Sequence, residues 1–264
     1  MYSHYLRKND AVIRGWQTGY GCDWLVFLPG LCFSSLVNFW AVVQSRKLQR
    51  HKKLLIDYLG SGVSDFSTNF GYSIEEHADT VASLLRAHGE APYKIVGHSM
   101  GGSVAIHLAN NYPELVSKLI VCEGNVSPGG GRRSRLIAQQ SDQEFTERGF
   151  PDLVSDLRRQ VEQGSDMAQW LSAGWANTHP DALHRTSRSL VALHTEFCEQ
   201  FLSLGSKCTF IYGGAEELRS VAPDRPSARV LKSKGIFTDI VPDAGHNMMF
   251  DNLDGFVSVL DRHL

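Results

Sequence analysis

Ile95-Val96-Gly97-His98-Ser99-Met100-Gly101-Gly102-Ser103 decides how this chain is read. Gly97, Ser99 and Gly101 make a G-x-S-x-G pattern between an apolar run, Pro92 to Val96, and a helix-forming run, Ser103 to Asn110. That order predicts a strand, a tight turn carrying one serine, and a helix that begins at once: a nucleophile elbow. A side chain at Gly97 or Gly101 would collide with neighbouring backbone where the turn is tightest. The turn lifts Ser99 clear of the sheet edge, above a helix N-terminus that favours negative charge. A bare G-x-S-x-G also arises by chance around plain turn serines; the flanking strand and helix single this one out.

On both sides of the elbow, short apolar strands alternate with helical stretches. Ala11 to Gln17 reads as an edge strand, and Trp24–Leu28 and Lys53–Asp57 as buried ones. Ser34 to Gln44 reads as a helix, and Ser73 with Glu76 forms a capping box for a second helix ending near His88. Lys118–Cys122, Lys207–Tyr212 and Ile236–Val241 follow as strands, and Leu253 to His263 closes the chain as a helix. Such an order implies an α/β fold, a mostly parallel central sheet flanked by helices. From Val126 to Leu204 no strand is visible, which predicts a helical cap insertion over residues 126–204 on a core of 1–125 and 205–264. Gly129-Gly130-Gly131 at its start suits a hinge or a plain loop equally. Aromatics in the insertion, Trp170 and Trp175 among them, are expected in its packing, with those facing Ser99 lining a substrate pocket.

Composition excludes several classes of function. With 264 residues, 42% of them hydrophobic, and a net charge of −2, the chain shows no footprint for nucleic acid. Its densest basic run, Arg46 to Lys53, reads as a solvated face. Five cysteines without a C-x-x-C pair point to reduced thiols. No apolar run approaches the ~18 residues of a membrane span, and no signal-peptide core is seen, so a cytoplasmic protein is expected. No dinucleotide fingerprint and no histidine–carboxylate metal spacing stands out, so neither cofactor nor metal is expected.

A serine nucleophile needs a base. Asp243-Ala244-Gly245-His246 follows the last strand and precedes the final helix, which places His246 on a loop at the sheet's carboxyl edge. His98, beside the nucleophile, is expected to pack or to line the pocket.

These residues give the chain its resemblance to serine hydrolases of the α/β-hydrolase fold, over essentially its whole length. It is carried by Gly97–Gly101, Ala244-Gly245-His246, Leu28-Pro29-Gly30-Leu31 and Asp57–Ser64. The resemblance implies an oxyanion hole from the backbone N–H groups of Met100 and Leu31, although Pro29-Gly30 stands where many members have His-Gly. It implies a triad acid after the penultimate strand, usually aspartate; here that position falls on Glu216, with Glu217 beside it. Glu123, at the end of the strand Lys118–Cys122, is a rival, as some members of the superfamily carry the acid there. A carboxylate at a buried strand end is costly unless paired. Glu123 and Glu216 both stay open at this point.

The expected reaction is hydrolysis of a carboxylic ester of a small or medium apolar substrate through an acyl-enzyme. Phe33, Phe39, Phe70 and the insertion's tryptophans suggest an apolar or aromatic acyl group. Lactones, amides, thioesters and carbon–carbon bonds of β-diketone-like substrates use the same apparatus. A non-catalytic ligand-binding protein on the hydrolase scaffold is the alternative class. A small-molecule substrate is the expected partner; a homodimer is left open.

Overall fold

Eight strands form one sheet: β1 (Tyr2–Leu6), β2 (Ala11–Thr18), β3 (Asp23–Leu28), β4 (His51–Asp57), β5 (Tyr93–His98), β6 (Val116–Cys122), β7 (Cys208–Gly213) and β8 (Phe237–Val241). The structure, a computed structural model, describes residues 1–215 and 226–264. Strand order is β1-β2-β4-β3-β5-β6-β7-β8. β1 and β2 run antiparallel, and every pairing from β4 to β8 is parallel.

Period-two alternation divides the apolar strands between two cores. Val26, Leu28, Ile56, Ile95, Val121 and Phe210 enter one, while Leu25, Phe27, Leu55, Val96, Ile120 and Ile211 enter the other. Both faces are therefore buried, which is why these strands read as continuous hydrophobic runs. Helices α2 (Ile74–His88) and α3 (Met100–Asn111) cover the first face; α1 (Ser35–Val43) and the final helix, Leu253–His263, cover the second. The capping box of Ser73 and Glu76 opens α2 with both reciprocal bonds made.

The edge strand differs from expectation. β2 lies inside the sheet, between β1 and β4, and the edge is β1. Tyr2 and His4 are half-buried and Leu6 is buried, while Ser3 and Tyr5 are exposed. One-sided burial of so short a segment leaves a polar sequence without a hydrophobic run to announce it.

Between β6 and β7 the chain forms only helices, chiefly Arg132–Ala138, Phe150–Glu162, Asp166–Gly174, Pro180–Val191 and Phe197–Ser203. Ala182, Leu190, Phe197 and Phe201 join the first core directly. Gly129 and Gly130 turn in the left-handed region, and Gly129 N–H donates to Val191 O at 2.9 Å. No helix among the described residues is long and apolar enough to cross a membrane. All five cysteines are free thiols, with Cys32, Cys122 and Cys208 buried.

The chain lays β4 on one side of β3 and then returns to place β5 on the other. Ligands of open α/β sheets bind where the strand order reverses, beyond the carboxyl ends of the strands. Ser99, Glu123 and the Gly30–Leu31 turn all follow directly from strand ends there.

Candidate active site

Ser99 sits at φ 53° and ψ −121°, a backbone region strained for any residue with a side chain. Its N–H donates to Cys122 O at 2.9 Å, and its own carbonyl receives Gly102 N–H at 2.9 Å, so the turn is tied on both sides. A Cβ on Gly97 would run into the Gly101 carbonyl, and one on Gly101 into the Leu28 carbonyl. The two glycines are thus a condition of the elbow, since strand β5, helix α3 and strand β3 meet there without room for a methyl group.

Parallel pairing sets the next neighbour. His98 is in register with Cys122, so the residues that follow, Ser99 and Glu123, leave adjacent strands side by side. Glu123 also has positive φ, 50°, and its N–H donates to Ile211 O at 3.0 Å. Its carboxylate is buried; Oε1 accepts Gly213 N–H at 2.6 Å. Glu123 Oε2 faces His246 Nδ1 at 4.0 Å, and on the other edge of that ring His246 Nε2 lies 3.0 Å from Ser99 Oγ. Hydroxyl, imidazole and carboxylate, contributed after β5, β8 and β6, therefore follow one another in space. Glu216 and Glu217 lie outside the described residues.

His98 was expected to pack or line the pocket, and it does both while making a specific contact. It is buried, and its Nε2–H donates to the backbone carbonyl of His246 at 2.9 Å. Its Nδ1 faces Asn38 Oδ1 at 3.4 Å, and the same Oδ1 accepts Gly30 N–H at 3.0 Å. Burial pushes the His98 imidazole down to about 4, with the His246 carbonyl opposing it more weakly, so the ring is neutral at pH 7. A single buried side chain thereby holds the His246 loop and borders the residue that fixes the turn after β3. Only the fold reveals this, since residues 98 and 246 are 148 positions apart.

A cleft of about 1090 Å³ opens above Ser99, and His98, Leu31, Phe33, Trp170 and Trp175 all line it. Trp175 Nε1–H donates to Leu31 O at 2.8 Å, and Trp170 Nε1–H to Val37 O at 3.2 Å, so both indoles are fixed. Phe33 packs between them, with ring centroids 4.6 Å from Trp170 and 5.8 Å from Trp175. Met100 is buried at the first position of α3, where the backbone N–H has no acceptor within its helix. Phe39 and Phe70 do not line the cleft. They are buried in the two cores, Phe39 on the inner face of α1 against Phe27 and Phe70 against Tyr72 and His77. Aromatic character alone does not distinguish a pocket wall from a core.

Among the described residues, Glu75, His107 and His194 offer ligand atoms within 4.8 Å of one another, the sort of group that could hold a metal. None of the three lines the cleft. They come from α2, α3 and the loop after Pro180–Val191, so no local spacing announces them.

Comparison with known proteins bears on the fold that carries this site. A family model described as alpha/beta hydrolase fold matches residues 23–253. A RutD protein of Cronobacter turicensis, which bears the name carbamate hydrolase, is 30% identical over 135 residues, 51% of this chain and 48% of that protein. The lipase LipV of Mycobacterium tuberculosis is 28% identical over 138 residues, 52% of this chain and 47% of that one. The chain thus covers less than half the length of these curated relatives. Among solved structures, an esterase from Exiguobacterium antarcticum superposes with a TM-score of 0.76 at 19% identity, covering 96% of both chains. With the family model spanning six of the eight strands and most of the chain, this chain belongs to the α/β hydrolase fold family.

Proposed function

We propose that the chain is a serine hydrolase that cleaves carboxylic esters through an acyl-enzyme. The 3.0 Å contact between Ser99 Oγ and His246 Nε2 carries this reading. In the first half-reaction Ser99 Oγ bonds to the ester carbonyl carbon while its proton passes to His246 Nε2. The carbonyl oxygen, now negative, is received by the backbone N–H groups of Met100 and Leu31; a donor of this kind is worth about 3 kcal/mol in the transition state. Collapse breaks the carbon–oxygen bond to the leaving alcohol, which takes the proton from His246. Water then gives its proton to the same nitrogen, attacks the acyl carbon, and releases the acid with Ser99 restored.

Glu123 is assigned as the acid that orients His246 and stabilises the imidazolium. Its support is the buried carboxylate 4.0 Å from Nδ1, a separation of the loose kind that shortens when substrate closes the site. Phe33, Trp170 and Trp175 shape the cleft for the organic part of a small or medium substrate. Helices of residues 126–204 act as its cap. Five free thiols suit action in a reducing compartment, the cytoplasm. Carbamates, for which the RutD relatives are named, differ from esters only in the group beside the attacked carbon and form the first extension of the substrate panel.

Rapid-quench mass spectrometry with 4-nitrophenyl esters of increasing acyl length tests the reading. A covalent acyl adduct on the peptide containing Ser99, formed in step with a burst of nitrophenol, is the expected result. Ligand binding without adduct or nitrophenol release across the panel would mean a binding protein instead.

A further inference from the structure

Arg133, on the first helix of the insertion, is a cation without an ion-pair partner among the described residues. Its guanidinium lies over the Trp175 ring, 4.7 Å from the centroid, and it lines the same cleft as Ser99. Of the three other cleft arginines, Arg135 donates to the carbonyls of Gly130 and Gly129, at 2.9 and 3.4 Å, Arg148 faces Asp152 at 3.9 Å, and Arg132, like Arg133 without an ion pair among the described residues, stacks on no ring there. Among the described residues Arg133 has no carboxylate within ion-pair distance. Burial pushes its charge state in the neutral direction, and the neighbouring charge of Arg132 pushes the same way, with no acid opposing them. Arg133 as a whole is nonetheless exposed, so its guanidinium is open to an incoming anion and, among the described residues, has no carboxylate partner for that anion to displace.

The setting of the cation is rigid. Trp175 is pinned at its indole nitrogen by Leu31 O, 2.8 Å away, in the turn that follows β3. A guanidinium stacked on an indole keeps the N–H groups along its edge available for in-plane, bidentate hydrogen bonds to a carboxylate. One ring therefore links the place where an acyl carbonyl would be polarised to a docking point for a negative group.

We propose that Arg133 is a substrate-specificity residue, and that the preferred substrates of this cleft carry a carboxylate on the acyl chain, as monoesters of dicarboxylic acids do. This rests on the assignment of Ser99 as nucleophile and goes beyond it by naming the substrate class. A charge-assisted bond to arginine should raise kcat/KM by about tenfold or more over a neutral substrate of the same length.

The test compares 4-nitrophenyl esters of ω-carboxy acids of six to eight carbons with the unsubstituted acyl esters of equal length. The expected result is a preference of at least about tenfold for the carboxylated ester, expressed mainly in KM and weakened by salt. Arg133→Gln should bring that ratio near one, and Arg133→Glu should invert it. A ratio near one in the unaltered protein, or a preference that survives Arg133→Gln, overturns the proposal while leaving Ser99 chemistry standing. Adipate binding to the Ser99→Ala protein, followed by calorimetry, reads the cation without turnover. Affinity for adipate no better than for hexanoate, or unaltered by Arg133→Gln, overturns it as well. Failure of the underlying assignment looks different: neither ester series is turned over and Ser99 takes up no acyl group.

Discussion

Replacing Glu123 by Gln and by Ala separates its electrostatic from its structural work. The carboxylate is 0% exposed and stands 4.0 Å from His246 Nδ1. When His246 takes the serine proton, Coulomb attraction at that distance is about 4 kcal/mol for an effective dielectric near 20. The imidazole is 39% exposed, and solvent there trims the figure to about 3 kcal/mol. At 1.36 kcal/mol per decade this is roughly 10²-fold in kcat. Loss of the orienting contact adds to it, up to the ~10⁴-fold known for triad acids. Glu123→Gln retains an oxygen for Gly213 N–H, now bonded at 2.6 Å, so its stability should stay within about 1 kcal/mol of the parent. Glu123→Ala orphans that buried N–H and should lose a further 1–3 kcal/mol or so. Steady-state turnover of a 4-nitrophenyl ester, with urea unfolding of the same preparations, measures both. A Gln variant that folds normally and turns over within about threefold of the parent refutes the role given to Glu123 and moves the acid elsewhere in the chain.

Further outcomes follow from the same geometry. Ser99→Gly and Ser99→Ala should both abolish turnover, yet the glycine variant should be the more stable by about 1 kcal/mol, since only it relieves the strain at φ 53°. Equal urea midpoints for the two would show that the elbow stores no such strain. Acid should destabilise the fold through His98, held near 4, and His77, held near 3, both by burial. Their folded values lie below the ordinary value of 6.5, so the unfolded chain binds more protons between pH 6.5 and 4 and stability falls as pH drops. His98 alone accounts for about 3 kcal/mol of this by pH 4, and its share should vanish from the urea-derived pH profile of His98→Asn. Stability unaltered from pH 7 to pH 5 would contradict neutral burial of both rings.

Features legible in the sequence were those whose physics is local. The elbow could be read because strand, turn and helix occupy one short stretch, and two glycines mark the collision points. The capping box at Ser73 and Glu76 was readable for the same reason, as was the helix Leu253–His263. Placement across the sheet was not. That Glu123 stands beside Ser99 depends on the register of β5 against β6, which no spacing within either strand encodes. His98 reaching the His246 carbonyl and Arg133 lying over Trp175 depend on how separate segments stack. Phe39 and Phe70 show the converse limit, because an aromatic in a core and one in a pocket wall look alike until the layers are assembled.

Fluorophosphonate labelling tests most directly whether Ser99 is activated by His246. One phosphonyl group per chain should form on Ser99, rapidly in the folded protein and slower by orders of magnitude in His246→Asn. A folded protein whose Ser99 stays unmodified, or reacts equally fast without His246, would contradict that activation.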